Sequence, residues 1–138
     1  MKSLLSALAL VLSLAVSSPV WARASVPIEN LPNNPAVAAS GKVLTLDEVK
    51  RTIQMAAMLK NWSLEEKGPG AMVATLNVRG KHTIVVDVSY TASSYSFTYN
   101  NSVNMNYTQD GGQGVIHPNY NKWVQDLRKA IQIELLKL

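Results

Sequence analysis

Few side chains in this sequence are suited to acid–base or metal chemistry. There are two histidines, His82 and His117, with Asp87 and Asp110 as the carboxylates nearest to them along the chain. A zinc site needs several nitrogen, sulfur or carboxylate ligands on one face, as His-x-x-x-His supplies on a helix. Neither that spacing nor His-x-His occurs and the chain has no cysteine, so no metal site is expected. The same absence removes a thiolate nucleophile, a disulfide scaffold and a lipid-bearing cysteine. A serine nucleophile needs a histidine that a third group orients. Ser89, Ser96 and Ser102 are available, yet none sits in a Gly-x-Ser-x-Gly turn. A small hydrolase using His82 or His117 therefore ranks last among the readings. Gly111, Gly112 and Gly114 precede a helix start, where free amides attract anions. No phosphate-loop lysine follows them, so a mobile connector is expected there and no cofactor is.

The elements that must position these groups follow from periodicity. Thr45-Leu46-Asp47-Glu48 has the pattern of a capping box and predicts a helix from about Leu46 to Lys60. Leu46, Val49, Ile53, Ala56 and Leu59 would form its buried stripe. The stretch from Asn61 to Gly70, with Lys67-Gly68-Pro69-Gly70, reads as a turn, and Trp62 beside it reads as core. The period then changes to two: Met72, Ala74, Leu76 and Val78 share one face, as do Ile84, Val86, Val88 and Tyr90. Pairing those faces requires an odd loop around Gly80, most simply three residues. Tyr95, Phe97 and Tyr99 continue the pattern, with Tyr90 opposing Tyr95 and Val88 opposing Phe97. A turn at Asn100-Asn101-Ser102 would bring Val103 to Thr108 alongside as a fourth strand. His117-Pro118 opens a last helix whose stripe is Tyr120, Trp123, Val124, Leu127, Ile131, Leu135 and Leu138. The expected fold is α+β and two-layered: a four-stranded antiparallel meander with both helices on one face, in the order α-β-β-β-β-α. Its other face would carry Thr75, Asn77, Arg79, Thr83, Asp87, Ser89, Ser96, Thr98, Asn104 and Asn106, with Val85 its main apolar member. This is either an ordinary solvated surface or a platform that hydrogen-bonds a glycan, peptide or partner strand. The Met72–Arg79 or Val103–Thr108 strand would offer an exposed edge.

Ahead of this domain, placed at residues 42–138, the chain reads as processing and tether. Lys2 followed by an uncharged apolar run from Leu4 to Val16, a break at Pro19, and small residues at Val20 and Ala22 has the pattern of a signal peptide over residues 1–22. Cleavage is expected after Ala22, with a periplasmic destination and no stable membrane insertion afterwards, because the run is too short to span a bilayer. Residues 23–41, interrupted by Pro27, Pro32 and Pro35, are expected to form a flexible leader. The formal charge of +4 over 138 residues is mild and scattered. It excludes a nucleic-acid footprint and slightly favours anionic partners.

Four stretches carry a resemblance: Gly68-Pro69-Gly70-Ala71, Val78-Arg79-Gly80-Lys81-His82, Tyr95-Ser96-Phe97-Thr98-Tyr99 and Ile116-His117-Pro118-Asn119-Tyr120-Asn121-Lys122-Trp123. Over about residues 45–135 the chain resembles a group of small exported proteins and lipoproteins of unknown function from proteobacteria. The resemblance implies an export compartment and a fold, and no activity. The first expectation is therefore a non-enzymatic envelope module that binds a protein or glycan through the polar sheet face, its edge, or a site drawn from Arg79, His82, Asp87, His117 and Tyr120. The alternative is a small-ligand binder, marked by a concave pocket between the last helix and the sheet.

Overall fold

The structure, a computed structural model, describes residues 24–138; the expected signal peptide and the bond after Ala22 lie outside the described residues. In chain order the elements are β1 (Val26–Pro27), β2 (Leu31–Pro35), α1 (Leu46–Leu59), β3 (Ser63–Gly68), β4 (Ala71–Val78), β5 (His82–Tyr90), β6 (Ser94–Val103), β7 (Thr108–Asp110), β8 (Gln113–Ile116) and α2 (Asn119–Leu136). Over the described residues the fold is α+β, with two helices and two antiparallel sheets. One sheet has five strands in the order β2-β6-β5-β4-β3, and the other has three in the order β1-β8-β7.

Helix α1 starts where the capping box places it. The Thr45 hydroxyl accepts from the Glu48 amide at 3.1 Å, and the Glu48 carboxylate accepts from the Thr45 amide at 3.1 Å. Lys42 also reaches that carboxylate at 2.6 Å and holds it below its ordinary value. The buried stripe is Val49, Thr52, Ile53, Ala56 and Ala57, rotated from the expected one; Leu46 and Leu59 are exposed. Thr52 can be buried because its hydroxyl donates to the Glu48 carbonyl one turn back, at 2.7 Å.

The β4–β5 hairpin has the three-residue turn that the alternation requires, with Val78 opposite His82. Tyr90 opposes Tyr95 and Val88 opposes Phe97, also as expected. The meander as a whole is corrected. Strand β6 does not turn at Asn100 but runs on past a bulge opposite Val85 and Val86 to pair Ser102 with Ile84 and Val103 with Thr83. Asn104 and Asn106, both at positive φ, then bend the chain away, so no Val103–Thr108 strand lies beside β6. Its place is taken by the leader. Leu31 opposes Phe97, Asn34 opposes Tyr95 and Pro35 opposes Ser94, and Ala36 and Ala38 are buried. The leader is thus a docked strand and not a loose arm.

The two other segments expected to be irregular are also strands. Ser63–Gly68 pairs with β4 as the outer strand, and residues 108–116, expected to include a mobile loop, fold as the β7–β8 hairpin. Between them, β5, β4 and β6 bury Met72, Ala74, Ile84, Val86, Val88, Tyr95 and Phe97 against Val49, Ile53, Ala56 and Ala57 of α1 and Tyr120, Val124, Leu127 and Ile131 of α2, in one core. Trp62 belongs to it at 6 % exposure, as expected.

Candidate functional site

The structure does not gather the five residues singled out in the sequence into one site. Val78 and His82 are opposite one another where β4 and β5 meet, and His82 shares the inward parity of Ile84, Val86 and Val88. Asp87 has the opposite parity, is exposed, and accepts a hydrogen bond from Asn100 Nδ2 at 2.8 Å. His82 and Asp87 therefore lie on opposite faces of β5 and cannot converge. Arg79 sits exposed in the turn at φ 58°. Tyr120 is 1 % exposed and belongs to the core, its ring edge-on to Tyr99 at 5.5 Å. Burial holds its phenol well above the ordinary value, helped by the neighbouring Tyr99 and Asp87 groups. It is not part of a binding surface.

His82 and His117 do come together. Both line a cavity of about 40 Å³ with Met105, Asn119 and Trp123. His82 Nδ1 is 2.8 Å from the Asn104 carbonyl oxygen. A carbonyl only accepts, so the neutral ring carries its proton on Nδ1 and has a free lone pair on Nε2. His117 has the other tautomer: its Nδ1 accepts from the Asn119 amide at 3.1 Å, which leaves the proton on Nε2. Its carbonyl accepts from the Tyr120 amide at 3.0 Å and its own amide donates to the Met105 carbonyl at 2.8 Å. His117 thus satisfies the first amide of α2, ahead of the cap residue Pro118, and ties the helix start to the segment that follows β6. Sequence reasoning placed Met105 only as an inward position of the expected fourth strand, opposite Phe97, and Trp123 only in the helix stripe. Alternation around Phe97 and Tyr99 pointed Met105 inward, but nothing in the sequence showed that the chain bends at Asn104 to bring it under His82.

Neither histidine ring is hydrogen-bonded to a serine or a carboxylate among the described residues. No group of three or more histidine, aspartate or glutamate side chains able to hold a metal occurs among them either.

The second region is the outward face of the five-stranded sheet. Thr75, Thr83, Ser89, Ser96 and Thr98 stand there partly or fully exposed around Val73 and Val85. A shallow cavity of about 260 Å³ lies on it, bounded by Lys67, Ala71, Val73, Asp87, Ser89 and Thr98. The edges are not as expected. Strand β4 is interior, paired on both sides. The outer strands are β3, which carries Glu65, Glu66 and Lys67, and β2, which carries Pro32 and Pro35 and a register shift. Charge and proline both discourage strand addition at an edge. A concave space between the last helix and the sheet does exist, about 250 Å³, between Tyr95, Pro35, Arg128 and Leu135. It is smaller than the space of about 450 Å³ between Leu46, Lys50, Pro69 and Tyr90.

No protein-family model matches this chain, and neither a curated protein nor a solved structure is significantly similar to it.

Proposed function

We propose that this is an exported envelope protein that acts as a non-enzymatic binding module through the outward face of its five-stranded sheet. The observation that carries the reading is that face: a broad surface of threonine and serine hydroxyls around Val73 and Val85, partly or fully exposed. Hydroxyls donate and accept without the desolvation cost of full charges, and the valines add apolar area at the centre. The outward positions of β3, β4, β5 and β6 hold no aromatic ring. Sugar rings commonly stack on such rings, so a protein partner fits this surface better than a glycan does. Export to the periplasm rests on the Leu4–Val16 run with Val20 and Ala22, and on the resemblance to exported proteobacterial proteins.

The test is a photo-crosslinking side chain placed at Val85 in the living cell, with the same probe at the exposed Lys129 of α2 as control. The expected result is a discrete adduct from Val85 alone, lost when Thr98→Arg puts bulk and charge on the same face, opposite Asp87. Equal adducts from both positions, or none from Val85, would overturn the reading.

A further inference from the structure

The small cavity beneath the end of β5 brings together donors that the sheet-face reading leaves unused. His82 donates from Nδ1 to the Asn104 carbonyl at 2.8 Å, which directs a free Nε2 lone pair away from that bond. This hydrogen bond on the other ring nitrogen is how proteins commonly orient an imidazole that ligates a metal. The next residue, Met105, is 2 % exposed and carries a thioether; its carbonyl is pinned by the His117 amide at 2.8 Å. The indole of Trp123 is tilted 48° to the His82 ring at a centroid distance of 6.5 Å. All three residues line the same cavity.

Their chemistry is selective. Thioether and neutral imidazole are soft, uncharged donors, the class that suits Cu(I), whereas harder divalent ions prefer carboxylates, carbonyls and water. Among the described residues no carboxylate lines this cavity, so a divalent ion entering it would lose its water without a compensating negative charge. The nearby start of α2 is electropositive and penalises a second unit of charge further. A soft monovalent ion needs few donors, and an indole face close to it adds cation–π attraction. The space, about 40 Å³, suits one bare ion and not its hydration shell. His117 is wall here and not a donor, because its Nδ1 is taken by the Asn119 amide.

We propose that His82 Nε2 and the Met105 sulfur, beside the ring of Trp123, form a binding site for Cu(I), with Ag(I) as its surrogate. The site is independent of the sheet face. It is tested by anaerobic competition between the purified protein and a coloured Cu(I) chelator. We expect one equivalent to be withdrawn, with Zn(II) failing to compete. His82→Gln retains a donor for the Asn104 carbonyl without the imidazole lone pair, and Met105→Leu retains the volume without the sulfur. Each should weaken binding at least tenfold. A second measurement needs no variant: in the unaltered protein, one equivalent of Ag(I) should shift the Met105 methyl resonance before those of Met55 and Met58, which are exposed on α1. No withdrawal of Cu(I), variants that bind like the parent, or Met55 and Met58 shifting first would each overturn the site.

Discussion

At Gly70 the chain passes so close to its neighbour that a side chain has nowhere to go. A Cβ there would lie 2.8 Å from the Tyr90 carbonyl oxygen, and the residue sits at φ +76°. The same glycine accepts from the Tyr90 amide at 2.9 Å, so this single position sets the distance between the β3–β4 turn and the end of β5. Gly80, in the β4–β5 turn at φ +67°, has nothing within 4 Å of its Cβ position. The two separate backbone strain from steric collision. Gly80→Ala should cost about 1 kcal/mol, the penalty for a left-handed conformation alone. Gly70→Ala should cost about 2–4 kcal/mol, because strain and collision add. Urea denaturation of both variants checks the order, and equal midpoints would show that the turn yields to relieve the contact.

Among the elements, β2 is the least strand-like in composition and the most dependent on side chains. Pro32 and Pro35 have no amide to donate. The missing ladder bonds are replaced by Asn34 Nδ2, which donates to the Leu31 and Tyr95 carbonyls at 2.9 Å each, and by Ser96 Oγ, which accepts from the Asn33 amide at 2.8 Å. Asn121 of α2 clamps the approach, accepting from the Glu29 amide and donating to the Pro27 carbonyl, both at 3.0 Å. Asn34→Ala should therefore cost about 1–3 kcal/mol and speed hydrogen exchange selectively in the β6 amides that face β2. Exchange that rises uniformly across the sheet would mean the leader is not a separable element.

This chemistry also explains what the sequence hid. Alternation fixes a strand only where one face is buried and every residue can pair. It placed the β4–β5 turn and the Tyr90–Tyr95 register. It was silent for Leu31–Pro35, where prolines break the pattern, and for Ser63–Gly68, an outer strand whose only partly buried apolar side chain is Leu64. The fourth strand failed for a different reason. The bulge opposite Val85 and Val86 lengthens β6, and Asn104 turns through positive φ, a conformation asparagine tolerates but does not announce. Of the candidate site, the convergence of His82 and His117 was named as a region, while Met105 and Trp123 meet them only through that bend.

In the molecule as a whole, stability is concentrated in a tyrosine-rich core without disulfides. Tyr95 is 2 % exposed and its ring meets Phe97 edge-on at 5.7 Å. Tyr99 stacks on Tyr107 at 4.6 Å, shares a hydrogen bond with Ser102 at 2.8 Å and touches Tyr120 edge-on. Burial raises the phenols of Tyr95, Tyr99 and Tyr120 above the ordinary value of 10, most of all for Tyr120, while Arg128 and Ser102 partly offset it at Tyr95 and Tyr99. In each case the neutral form is the one the fold favours. An unfolded phenol ionises near pH 10, so this contribution is complete below that pH and is lost as the pH climbs toward the folded values. Alkaline unfolding should therefore set in above pH 10, with the last phenolate absorbance appearing together with the loss of circular dichroism. Tyr120→Phe removes the most strongly raised of these groups and should move the alkaline midpoint upward, even if it lowers stability at neutral pH by losing the hydroxyl's contacts. An unchanged midpoint, or complete phenol ionisation before any loss of structure, would show that the core opens to hydroxide without unfolding and that these rings are not what binds the sheet to α2.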